Sequence, residues 1–90
     1  MDFNKFPSKC KQLVAEYVNK YLDVTDEVKF GEEDVYVVWY AKTLQNAKAL
    51  LSTNIPDGMY YEITYNGDKN EFYLDAYKKF ENLKIEGDVE

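Results

Sequence analysis

The chain has 90 residues, with 11 lysines set against 17 carboxylates and no arginine or histidine, for a formal charge of −6. Histidine is the usual general base near neutral pH and the commonest metal ligand, so its absence excludes Ser-His-Asp and Cys-His nucleophile activation and most zinc sites. At 46% hydrophobic and 17% aromatic residues the chain is too rich in core formers to stay disordered, and its length suits one domain spanning residues 1–90 around one modest core.

From Phe6 to Leu22 the apolar residues Phe6, Cys10, Leu13, Val14, Tyr17, Val18 and Tyr21 recur at three- and four-residue spacing. That period predicts an amphipathic helix over roughly 7–22, with Pro7 and Ser8 suited to its start and residues 1–6 expected to fray. Cys10 lies on the apolar stripe without a histidine or basic cluster to hold a thiolate, so it reads as a small buried hydrophobe. As the sole cysteine it excludes an internal disulfide, a four-cysteine zinc site and a Cys-x-x-Cys redox pair, and it fits a reducing cytosol.

The helical period is lost after Leu22, where an acidic connector begins that contains Asp26, Glu27, Glu32, Glu33 and Asp34. The Asp-x-Asp-x-Asp-Gly order of a calcium-binding loop is absent, so no metal site is expected there and the cluster reads as a solvated acidic loop.

Val35 to Thr43 is dense in β-branched and aromatic residues and predicts the first strand. Leu44 to Asn54 also has good helix propensity, but register favours a strand. A three-residue loop at Leu44-Gln45-Asn46, with Asn46 left-handed, pairs Thr43 with Ala47. A second at Pro56-Asp57-Gly58, closed by a left-handed glycine, pairs Ile55 with Met59. Met59 to Tyr65 forms the third strand, and a turn at Asn66 to Lys69 returns the chain into Glu71 to Tyr77, pairing Tyr65 with Asn70.

These choices align Trp39, Leu51, Ile63 and Phe72 in one row. The predicted fold is α+β, an N-terminal helix on one face of a four-stranded antiparallel β-meander, with helical alternatives for residues 44–54 and 73–85. Val35, Val37, Trp39 and Ala41 of the first strand are assigned to the helix-covered face. Lys78 to Ile85 reads as a helical turn or an edge extension, and residues 86–90 as a frayed acidic tail.

The same register sends Tyr36, Val38, Tyr40, Leu50, Tyr60, Tyr73 and Tyr77 to the opposite face, together with Glu62 and Asp75. One helix is too little to cover both faces. Tyrosine supplies large contact area at low entropic cost, which makes this face the leading candidate for partner binding or self-association; the plainer reading is tyrosine placed on exposed strands for its β-propensity. Glu62 and Asp75 lie diagonally across the third hairpin, about 7 Å apart by strand geometry. An open sheet face offers no cleft for paired-carboxylate catalysis, so no catalytic residue, cofactor or enzymatic activity is expected.

The run Val38-Trp39-Tyr40-Ala41-Lys42-Thr43-Leu44-Gln45-Asn46, then Lys48 to Thr53, Pro56 to Lys69 and Tyr73 to Lys79, resembles a family of short proteins encoded by phages and prophages of Gram-positive bacteria. The resemblance covers roughly residues 35–85 and carries no catalytic residues to transfer. It implies a small acidic product, cytoplasmic in an infected or lysogenic host, that docks on a bacterial host protein and inhibits or redirects it. An anti-defence, anti-CRISPR-like inhibitor that competes with nucleic acid for a basic groove is the most concrete form, and a homo-oligomeric assembly protein is the alternative. Direct nucleic-acid binding is not expected, because a net negative chain with dispersed lysines repels the phosphate backbone. Nor is a membrane partner, since Met1-Asp2 opens neither a basic nor an apolar leader and no run is long enough to span a bilayer.

Overall fold

The computed structural model describes residues 2–21 and 30–87. A 3-10 turn, Phe3–Lys5, leads into helix α1, Phe6–Tyr21, and a second 3-10 turn, Glu32–Asp34, precedes four strands: β1 Val35–Thr43, β2 Asn46–Thr53, β3 Met59–Asn66 and β4 Glu71–Lys78. The strands are antiparallel and lie in chain order, so the sheet is a meander with α1 on one face, the α+β arrangement the sequence predicts. The helical alternatives for 44–54 and 73–85 are not adopted, and residues 79–87 have no regular secondary structure.

Helix α1 forms because Phe6, Cys10, Val14 and Val18, four residues apart, all reach complete burial, with Ala15 beside them. They close the core against Val35, Ala47, Ala49, Leu51, Tyr61, Ile63 and Tyr65 of the sheet. Residues 2–6 are ordered, against the fraying expected of them. The Asp2 carboxylate accepts the Asn4 backbone N–H at 3.0 Å, which caps the short turn, and the Phe6 ring is wholly buried. Asn19 ties the far end of the helix to the incoming strand, donating to the Phe30 carbonyl and accepting the Phe30 N–H, each at 2.8 Å.

The middle strand forms despite its helix propensity because Ala47, Ala49 and Leu51 alternate into the core. Its pairing with β3 is two residues away from the sequence reading, Leu51 facing Tyr61 and Ala49 facing Ile63. The β3–β4 pairing is likewise displaced by two, with Phe72 opposite Tyr65 and Leu74 opposite Ile63. A two-residue slip preserves the face of every side chain, so the inward and outward sets of β2, β3 and β4 stand while the predicted row of Trp39, Leu51, Ile63 and Phe72 does not.

Strand β1 departs further. Its hairpin to β2 is the tighter two-residue loop, Leu44-Gln45, with Thr43 opposite Asn46 and the positive φ carried by Leu44 at 55° rather than by Asn46. The register then changes between Val37 and Trp39, leaving Val38 as an extra residue in a β-bulge. Before the bulge, Val35 and Val37 face the helix as expected. After it, Tyr40 and Lys42 lie opposite Ala49 and Ala47 on the helix side, while Trp39 and Ala41 turn to the outer face opposite Leu50 and Lys48. The Tyr40 ring centroid sits 6.0 Å from that of Phe6, and the Lys42 ammonium rests over the Phe3 ring at 4.6 Å while donating to the Leu44 carbonyl at 2.7 Å. The inward polar groups thus lie at the rim of the core with partners of their own.

At one end of the sheet the two tight turns dock. The Gly67 N–H donates to Asn46 Oδ1 at 2.9 Å, and Gln45 Nε2 donates to Asp68 Oδ1 at 2.7 Å. Gly67 is required for this approach and not for a left-handed conformation; Asn70 and Gly58, with φ of 51° and 73°, carry the positive φ in the two later connections. A Cβ on Gly67 would meet the Gln45 carbonyl oxygen at 2.1 Å and the Gln45 Cβ at 2.8 Å. Gly67→Ala therefore forces the turns apart and lowers unfolding free energy by about 1–3 kcal/mol, the usual range for overpacking, as read from the urea midpoint. An unchanged midpoint would show that the docked turns contribute nothing to stability.

Candidate functional site

The outer face is built from the side chains that α1 does not meet. Across the strands it has three rows. Tyr36, Ser52, Tyr60 and Tyr77 form the first, Trp39, Leu50, Glu62 and Asp75 the second, and Ala41, Lys48, Thr64 and Tyr73 the third. Trp39 is 44% exposed, Tyr36, Tyr73 and Tyr77 about half, and Leu50 and Tyr60 are half-buried between their neighbours. No described residue packs a second layer against them.

Of the residues assigned to this face from sequence, Tyr36, Leu50, Tyr60, Glu62, Tyr73, Asp75 and Tyr77 lie on it. Tyr40 does not, because the bulge turns it toward Phe6, and Val38 is the bulge residue itself, half-exposed. Trp39 is the residue that sequence reasoning missed. Strict alternation from Val35 assigns it to the core, and only the adjacent β-branched pair Val37-Val38 marks a place where alternation breaks.

Several polar groups on the face are already engaged. Ser52 Oγ donates to the Met59 carbonyl at 2.8 Å, and Lys48 Nζ stands 3.4 Å from Glu62 Oε1. The Tyr73 hydroxyl donates to the Glu71 carboxylate, which orients the ring along its strand and raises the hydroxyl pKa. Glu62 and Asp75 are directly opposed rather than diagonal. With Glu62 held by Lys48 on an open surface, the pair lacks the enclosed, asymmetric setting that splits two carboxylates into acid and base. Toward the Lys78 end the face sinks into an open groove lined by Leu50, Tyr60, Glu62, Tyr77, Lys78 and Lys79.

The acidic connector is only partly a free surface. Asp26 and Glu27 lie outside the described residues. Glu32 accepts from Ser8 Oγ at 2.8 Å; Asp34 accepts the Gly31 N–H at 3.0 Å and Asn54 Nδ2 at 3.2 Å. These contacts fasten the second 3-10 turn to the start of α1 and the end of β2, leaving Glu33 exposed. Among the described residues no group of three or more Cys, Asp or Glu side chains is gathered closely enough to hold a metal ion. None of their helices is long and apolar enough to cross a membrane.

The geometry defines a two-layer α+β protein with one packed face and one open aromatic face. A family model described as a family of unknown function (DUF6275) matches residues 7–87, so the chain belongs to that family. No curated protein and no solved structure matches it.

Cys10 is enclosed in the core, and burial pushes its thiol from 9.0 up to about 12. Because the folded value lies above the ordinary one, the stability that the neutral thiol contributes is complete below about pH 9 and is lost as pH rises toward 12. Urea titrations at two pH values on either side of 9 should show a steeper loss for the wild type than for Cys10→Ala. A disulfide reagent should label the thiol only after denaturant is added. Rapid labelling of the native protein would contradict the enclosed placement.

Proposed function

We propose that this is a non-enzymatic binding protein that docks on another protein through its outer sheet face. The observation that carries the reading is the cluster of large, exposed aromatic side chains, Tyr36, Trp39, Tyr73 and Tyr77, gathered by register on one face around Leu50 and Tyr60. Apolar patches of this kind on small soluble chains mark contact surfaces, and tyrosine and tryptophan are the side chains that anchor them. The resemblance to phage proteins supplies the setting, a bacterial host protein inhibited or redirected in the cytoplasm, with a nucleic-acid-handling defence factor as the most concrete target.

Two routes to such inhibition differ in their physics. Mimicry of nucleic acid needs a dense negative surface, whereas this face sets Lys48 beside Glu62 and Asp75 with Lys79 at the groove, and two acids of the connector are spent on internal hydrogen bonds. Aromatic anchoring is the better match, with charge setting orientation.

The test is capture from bacterial host lysate by wild-type protein and by a Trp39→Glu, Tyr73→Glu double variant, at low and high salt. The reading expects one protein retained by wild type at both salts and lost, by about tenfold or more, with the variant. Retention that collapses at high salt for wild type would instead favour charge mimicry. A partner held equally by the double variant, or none held at all, would overturn docking through this face.

A further inference from the structure

Beyond β4 the chain continues as a segment without regular secondary structure, residues 79–87, whose large apolar side chains are exposed. Phe80 is 91% exposed, Leu83 67% and Ile85 83%. Three such side chains in six residues are costly to leave in water. The segment departs from the rim of the open groove, which Tyr77, Lys78 and Lys79 help to form. An apolar arm and an apolar groove are therefore joined at one root.

The arm does not fill the groove of its own chain. The Lys79 N–H donates to the Gly58 carbonyl at 2.7 Å, which continues the β4 pairing one step past the last ladder pair, Met59 with Lys78. Phe80, Leu83 and Ile85 stay exposed, so none of them is buried against Tyr60 and Tyr77 of the same chain. A second molecule can bring its own arm to that groove.

We propose that two copies of this chain exchange arms, each laying Phe80, Leu83 and Ile85 across the groove beside Tyr60 and Tyr77 of the other. When the same two copies trade arms, each donating one and accepting one, the exchange is isologous and closes at a dimer, whereas arms passed on to a third copy would build open chains of higher mass. Charge fits the same placement. On the arm, Lys84 is paired only with Glu86, 3.0 Å away with both side chains about 85% exposed, whereas Asp75, across from the groove residue Glu62, makes no ion pair among the described residues. Net repulsion between two chains of charge −6 opposes association, so the dimer tightens as salt rises. The proposal rests on the outer face being a binding surface and assigns its groove end to the second copy, leaving the Trp39 and Tyr73 end for another partner.

Sedimentation of the full chain over a concentration series tests this, with two variants. Leu83→Ser, Ile85→Ser removes the arm's grip without touching the core, and Tyr77→Glu spoils the groove on an exposed side chain. Wild type should sediment at twice the chain mass, and each variant alone should dimerise at least about tenfold more weakly. An equimolar mixture should recover part of the loss, because the intact arm of one meets the intact groove of the other. A wild type that stays monomeric at every concentration and salt overturns arm exchange. So does a mixture no better than its components. If the arm variant dimerises like wild type while Tyr77→Glu does not, the arm is excluded as the occupant and the outer face survives as the interface. Arm exchange without any partner lost to the Trp39→Glu, Tyr73→Glu variant would remove the docking function alone.

Discussion

One helix has to cover a sheet wider than itself. Helix α1, 16 residues long, spans about 24 Å and is about 10 Å across, whereas four strand axes at about 4.8 Å spacing extend about 14 Å before their side chains are counted. The helix therefore seats over β1 and β2, with β3 completing the core from beneath, and β4 is left with only Phe72 and Leu74 half-buried. Everything else follows from this shortfall. The second face of the sheet has no described layer at all, and the chain after β4 carries apolar side chains with no remaining core to enter. The aromatic surface left in water by this shortfall is the physical ground for the docking and arm exchange proposed above.

The elements themselves were legible because each rests on a short-range signal. Four-residue spacing from Phe6 to Val18 marks the helix, β-branched and aromatic density marks β1 and β3, and the Gly58 turn has the left-handed glycine its sequence suggests. Faces were legible on β2, β3 and β4 for a subtler reason. The hairpin registers read from sequence were displaced by two residues, and a period of two forgives that displacement.

Strand β1 was not forgiven, because a bulge moves the chain by one. The tighter Leu44-Gln45 loop prevailed over the three-residue loop even at the cost of a left-handed leucine, with the docked Gln45, Asn46, Gly67 and Asp68 rewarding it. The hydrophobic pattern opposes this outcome, since it sends Trp39 outward and Lys42 inward. It is tolerated because those positions lie at the rim of α1, where Lys42 reaches its carbonyl and the Phe3 ring. No local sequence rule weighs a contact between turns more than twenty residues apart, so the exposed tryptophan was invisible until the turns were seen together. The connector's acids were misread in the same way, as solvated charge, when Glu32 and Asp34 are fasteners between elements distant in sequence.

The extra residue at Val38 also shapes how molecules of this kind meet. Strand β1 borders the sheet, and a border strand with regular spacing is a template on which a foreign strand can zip amide to carbonyl without limit. Val38 breaks that rhythm midway and sharpens the local twist, so an incoming strand loses its match after a few residues. Growth into fibrils along this margin is discouraged at a point in the chain where the composition, rich in valine and tyrosine and free of proline, would otherwise invite it.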